Sequence, residues 1–151
     1  MLERQGVKLS KKSEYGLRAL IELTLAYEEH TTLQRHQIAK RQHIPIEFLE
    51  QILLALKRAG LLASRRGLKG GYTLIKPPGE ITVGQVIRIL DGPLAPIGCV
   101  SKTAYQKCRD CPYADKAECP VQHVMGPVRD AIAGILDHCT LNDFAASHRR
   151  G

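Results

Sequence analysis

No segment of this 151-residue chain is long and apolar enough to cross a bilayer. The longest aliphatic run, Ile52 to Leu56, falls far short of the roughly 20 residues that a spanning helix needs. Met1 to Ser10 contains no continuous apolar stretch, so no leader peptide is expected and the chain is assigned to the cytoplasm, with no membrane partner. Low-complexity tracts are absent and 44% of the residues are hydrophobic, which excludes wholesale disorder and supplies a compact core. A P-loop, a dinucleotide fingerprint and a Ser/His/Asp constellation are also missing, and with them the common hydrolase, nucleotidase and dehydrogenase chemistries. The length suits one small domain with a substantial appendage.

What the chain does have is cysteine in one place. Cys99, Cys108, Cys111 and Cys119 fall in a single stretch, with a fifth thiol at Cys139. Thiolates are soft ligands that suit iron–sulfur iron or zinc, and crowding them in sequence lowers the chain entropy lost on binding. In a reducing compartment such a group binds metal more readily than it forms disulfides. Cys108-x-x-Cys111 also raises a thiol oxidoreductase. A redox C-x-x-C sits at a helix N-terminus beside a βαβ pattern, however, and the chain shows no such pattern.

The positive charge lies elsewhere. Residues 1–98 carry 15 Lys and Arg against 9 Asp and Glu, whereas residues 99–151 carry 7 against 6. A positive field confined to the half without the cysteine run points to a polyanion there.

Apolar periodicity supports this division. Leu17, Leu20, Ile21 and Leu25 predict a helix over 13–27. Thr31-Thr32 offers an N-cap for a short second helix ending near Gln42, and His43-Ile44-Pro45 breaks it. A third helix, from Pro45 to Ala59, carries Ile46, Leu49, Ile52, Leu53 and Leu56 and stops at Gly60. Two short helices joined by a tight turn form a helix-turn-helix. Leu61–Ser64 and Tyr72–Ile75 then flank a basic, glycine-rich loop, which predicts a β-hairpin. Thr82 and Gln85 match a capping box for a helix over 83–90. Residues 94–118 have no periodicity, and a long helix is predicted from Pro120 to His138, with Pro127 inside it. Thr140 caps a short last helix, and residues 148–151 are expected to fray. Cys139 is expected to be a small core residue.

The predicted fold is therefore mainly α with a small β-hairpin wing: a winged helix-turn-helix followed by a long C-terminal helix. The divisions fall at 1–92 for the DNA-binding domain, 93–119 for a cysteine-rich sensor loop and 120–151 for the C-terminal helix and tail. A recognition helix enters the major groove with its N-terminal side chains toward base edges. The outward positions here are Glu47, Phe48 and Gln51, with Lys57 or Arg58 farther along. Arg65, Arg66 and Lys69 on the wing would meet phosphates or enter the minor groove of double-stranded DNA.

The segment from Ile38 to Leu90 resembles the Rrf-two (Rrf2) type of winged helix-turn-helix transcriptional regulator. The resemblance rests on the step Phe48-Leu49-Glu50-Gln51, on the wing from Arg66 through Gly70-Gly71-Tyr72, and on the helix start Thr82-Val83-Gly84. Leu9–Leu20 and Thr140-Leu141-Asn142-Asp143 extend it over nearly the whole chain. It implies a homodimer formed through the helix at 120–138, and two-fold symmetry suits the reading of two half-sites.

Cluster-binding members of that family hold iron with three cysteines of this loop and a variable fourth ligand. By position, Cys99 matches the first and Cys119 the last, whereas Cys108 and Cys111 compete for the middle or share it. The resemblance also brings in Glu14, as a carboxylate offered to the partner's cluster, and His123, which lies four positions after Cys119. The expected cofactor is an iron–sulfur cluster, with zinc or no metal as alternatives. The expected function is a repressor whose operator affinity is switched by the cluster or by thiol redox state. A metal-free regulator that uses a thiol switch or a small-molecule or protein ligand stands as the alternative.

Overall fold

Ser10 starts the first helix by accepting a hydrogen bond from the Ser13 amide at 3.1 Å. In the computed structural model, which describes residues 9–149, that helix is α1 (Lys11–Glu28). It is followed by α2 (Arg35–Gln42), α3 (Ile46–Arg58), β1 (Leu62–Arg65), β2 (Gly71–Leu74), α4 (Val83–Asp91), α5 (Pro120–Leu136) and α6 (Leu141–Arg149). The opening segment 1–8, expected to lack a leader, and residues 150–151 lie outside the described residues. Among the described residues no helix is long and apolar enough to cross a membrane.

The core gathers one apolar face from each element of the N-terminal part. Leu20 and Leu23 of α1, Ile38 of α2, Leu49, Ile52, Leu53 and Leu56 of α3, and Val86 of α4 are all fully buried. The i, i+3, i+4, i+7 spacing in α3 concentrates its apolar residues on one side and leaves Glu47, Gln51 and Leu54 to solvent. Between α2 and α3, His43 adopts a left-handed conformation at φ 51°, which turns the chain, and Ile44 then drops into the core.

The wing is an antiparallel hairpin in which Leu62 faces Leu74 and Arg65 faces Gly71. Leu33 adds a third rung: its amide donates to the Tyr72 carbonyl at 3.1 Å, and the Tyr72 amide returns a bond at 2.7 Å. Gly71 permits this approach, since its φ is +143° and a Cβ there would stand 2.5 Å from the Leu33 carbonyl oxygen.

Several local expectations are corrected. Neither Thr31 nor Thr32 caps α2. Gln34 does, in a capping box closed by Gln37, and the Thr32 hydroxyl instead donates to the wing carbonyls of Lys69 and Gly70. In the predicted Thr82–Gln85 box, Thr82 accepts from the Gln85 amide at 3.1 Å. The segment from 94 to 118 contains two short 3-10 turns, Gly98–Val100 and Lys116–Glu118. Residues 148 and 149 do not fray: α6 runs through Arg149, which pairs with Glu28 of α1.

α5 differs from the other helices. It has no buried residue, and Val121, Val124, Val128 and Ile135 lie exposed along it. Their spacing of three, four and seven is that of a coiled-coil seam. Beyond α5 the chain returns to the core. The Val83 amide donates to the Cys139 carbonyl at 2.8 Å and the Leu141 amide to the Ile81 carbonyl at 2.9 Å. Leu141 and Ala145 are buried there, and Cys139 packs against the same core but stays half-buried, where a buried residue was expected.

Candidate thiol site and nucleic-acid interface

All four clustered cysteines line one cavity of about 120 Å³, together with Tyr105, Lys107, Tyr113, Ala114, Lys116 and Gln122. Cys99 is buried on the first 3-10 turn, Cys108 is exposed in the loop, Cys111 is half-buried, and Cys119 is the residue that begins α5. The Cys108 thiol donates to the Cys99 sulfur at 3.5 Å. That hydrogen bond, then desolvation, then the charges of Cys99, Cys111 and Cys119 hold the Cys108 thiol above the ordinary cysteine value.

The walls of the cavity hold it against α5. Gln122 donates to the Cys99 carbonyl at 3.1 Å, and Arg129 reaches the Val100 carbonyl at 2.5 Å. Lys116 lies 3.5 Å from the centre of the Tyr105 ring, a cation–π contact across the loop. Tyr105, Tyr113, Lys107, Lys116 and Gln122 had no sequence signal. The two tyrosines and two lysines belong to the loop, and Gln122 reaches the cavity from the first turn of α5.

Glu14 and His123 stand outside this set. Glu14 pairs with Lys11 at 3.3 Å and Arg18 at 3.9 Å on α1, and His123 is an exposed residue in the first turns of α5. Among the described residues, no three His, Cys, Asp or Glu side chains converge on a point that would hold a single metal ion. The thiols surround a space instead. Its volume is several times the 10–15 Å³ or so that one water occupies. Four thiols lining one cavity are a donor set that both an iron–sulfur cluster and zinc accept. The donor set therefore fits an iron–sulfur group.

The candidate DNA-contacting residues lie on α3 and the wing. Glu47 and Gln51 are exposed at the start of α3, and Arg65, Arg66 and Lys69 are exposed on the wing. Phe48 is only half free, because its ring meets Tyr15 of α1 edge-on with centroids 5.5 Å apart. Glu50 forms an ion pair with Arg35, tying the recognition helix to α2. Arg35, His36, Arg65 and Arg66 line an open, polar hollow of about 750 Å³ between α2 and the wing. Arg35 and His36 escaped the sequence reading because their helix was framed by the wrong cap.

The family model described as "Iron-dependent Transcriptional regulator", Rrf2, matches residues 9–147. The chain belongs to the Rrf2 family. A regulator of Rhodobacter capsulatus named as rrf2-like is 39% identical over 141 residues, covering 92% of this chain and 93% of its own. Among solved structures, CymR, the global cysteine regulator of B. subtilis, superposes with a TM-score of 0.76 at 33% identity, covering 94% of this chain and 98% of its own. IscR of T. potens gives 0.73 at 29% identity, with 97% and 91% covered. Rrf2 proteins are transcriptional regulators and not enzymes, which closes the thiol-oxidoreductase reading. The winged-helix fold is that of these neighbours.

Proposed function

We propose that the chain is a cytoplasmic, homodimeric DNA-binding repressor whose operator affinity is switched by an iron–sulfur cluster on Cys99, Cys108, Cys111 and Cys119. The observation that carries this reading is the convergence of all four thiols on one cavity formed by the loop and the first turn of α5. A cluster bound there would supply iron that responds to redox state and to small ligands. The protein supplies the rest. Gln122 and Arg129 hold the backbone beside Cys99 to α5, and Cys119 begins that helix. A change in the loop therefore acts directly on α5.

The exposed seam Val121–Val124–Val128–Ile135 suits a second copy of the chain, so α5 sets the separation of two recognition helices. Glu47 and Gln51 then face base edges, Phe48 braces the helix against α1, and Arg65, Arg66 and Lys69 engage the backbone and minor groove. Glu14 and His123 stay the weaker candidates for a further ligand, Glu14 toward the cluster of the partner subunit.

The test is anaerobic purification with iron and sulfide analysis, repeated with each of the four cysteines changed to alanine. Operator affinity is measured for the loaded and metal-free forms at equal salt. Iron and sulfide should be lost in each variant, and the affinities of the two forms should differ. Full occupancy in Cys99→Ala or Cys119→Ala, or equal affinities, overturns the reading.

A further inference from the structure

The four thiols are not equivalent. Cys99 and Cys108 face each other at 3.5 Å, while the Cys111 thiol turns to the Tyr113 carbonyl at 3.7 Å. Cys119 is the N-cap residue of α5, and its thiol makes no capping bond. The close pair is thus not the C-x-x-C pair that the spacing suggests. Asp110, between Cys108 and Cys111, takes a left-handed conformation at φ 55° that redirects the chain between them.

The cause of the close pair is local. The Gln106 amide donates to the Gly98 carbonyl at 3.0 Å, and the Ala104 amide to the Ser101 hydroxyl at 3.0 Å, so the loop doubles back and returns Cys108 to Cys99. Gly98 allows the return, because a Cβ there would lie 3.0 Å from the Gln106 Cβ. Cys99 is buried, with the carbonyls of Cys99 and Val100 held by Gln122 and Arg129, while Cys108 is exposed to solvent. A disulfide needs a sulfur separation of about 2.0 Å, so the pair closes by a small shift of the exposed partner.

We propose that Cys99 and Cys108 form a dithiol that a low-molecular-weight disulfide such as oxidised glutathione converts to an intramolecular disulfide when no metal holds the sulfurs. Cys111 and Cys119 remain thiols. Cys108, the solvent-exposed member, loses its proton to solvent and attacks one sulfur of the oxidant, forming a mixed disulfide and releasing one glutathione thiolate; its raised pKa slows this step without blocking it. The Cys99 thiolate then attacks the Cys108 sulfur and releases the second. The two protein thiols lose two electrons and two protons, and the oxidant leaves as two thiols. Because the bond consumes two of the four proposed ligands, metal loading and disulfide formation are mutually exclusive states of the cavity. Only that consequence rests on the iron–sulfur reading; the pairing stands on the geometry of the loop.

The full-length protein, metal-loaded or stripped with a chelator under argon, is exposed to oxidised glutathione, alkylated, digested and mapped by mass spectrometry. Tryptic cleavage after Lys107 and Arg109 puts Cys108 and Cys111 on separate peptides. The stripped protein should lose two hydrogens per chain and give a Cys99–Cys108 linkage with Cys111 and Cys119 alkylated. Cys108→Ser should lose the crosslink, with folding checked by circular dichroism. A Cys108–Cys111 or Cys111–Cys119 linkage, or glutathione adducts alone, overturns the pairing. Equal rates in the loaded and stripped proteins, with the same linkage, overturn the exclusion by metal and leave the pairing in place.

Discussion

Gln122 donates its side-chain amide to the carbonyl oxygen of Cys99 at 3.1 Å, joining the first turn of α5 to the turn that carries the buried thiol. Gln122→Ala removes this link without removing a thiol. It should keep iron and sulfide content while reducing the affinity difference between loaded and metal-free forms by a factor of about 2–10, the range of one net hydrogen bond. Operator titration of both forms measures it, and an unchanged difference would falsify a coupling role for Gln122.

The wing separates charge from shape. Arg66 is exposed on it, and Leu68 at its tip is fully exposed between Arg66 and Lys69. Arg66→Ala should weaken DNA binding and lower the slope of log affinity against log salt by about 0.9 if it neutralises one phosphate. An apolar residue at such a tip can act as a wedge in the minor groove. Leu68→Ala should therefore weaken binding with the salt slope unchanged. A reduced slope in the leucine variant counts against the wedge.

Gly84 lies where α4 packs against the end of α5. A Cβ there would stand 2.2 Å from the Asp137 Oδ1 atom and 3.2 Å from its backbone nitrogen. Gly84→Ala should destabilise the fold by about 1–3 kcal/mol, the usual cost of overpacking, despite alanine's higher helix propensity. Urea denaturation gives the value, and a stabilised variant would contradict the close approach.

Arg88 clamps Asp137 with two hydrogen bonds, at 2.5 and 2.8 Å. The guanidinium holds the Asp137 carboxyl below its ordinary value, chiefly through those bonds. A depressed carboxylate stabilises the fold above its unfolded pKa, near about 4. That contribution disappears as pH falls through the lower folded value. Both side chains are about one-third exposed, so the effect stays within about 1 kcal/mol. Asp137→Asn should therefore lower stability at pH 7 and flatten its loss below pH 4. Asp130, held down by Arg129, and Asp143, held down by Thr140, retain their own share of the acid sensitivity. An identical acid limb in the variant would show that the clamp carries no linkage.

The seam on α5 has its own test. Ile135 is 70% exposed, which is unusual for a large aliphatic side chain unless something covers it. Ile135→Glu should shift the protein from dimer to monomer in sedimentation and reduce operator affinity, while the thermal unfolding of the winged-helix part remains cooperative. A dimer of undiminished stability would place the interface elsewhere.

Legibility followed the range of the interactions. α1, α3, the hairpin and α4 were readable because their apolar period, breaks and cap residues are local, as with Leu49, Ile52, Leu53 and Leu56. The α2 cap was misread because Thr32 is a good cap by type but is drawn to the Lys69 and Gly70 carbonyls of a wing some 37 residues away. The thiols were legible as a set but not as a geometry. Spacing favoured Cys108 with Cys111, whereas the pairing of Cys108 with Cys99 depends on backbone bonds from Gln106 and Ala104 that leave no periodic trace. The return of Leu141 to the core beside Ile81 was hidden for the same reason, being a contact between distant segments.

That return also sets the order in which the molecule can be completed during synthesis. The recognition helix emerges from the ribosome before the cysteine loop, and Leu141 and Ala145, which α6 buries in the core, emerge after it. The cysteine loop is therefore synthesised and available to metal while that part of the core still lacks residues. A nascent chain stopped short of Leu141 has its recognition helix and all four loop thiols, yet lacks the α6 residues that close the core over α1.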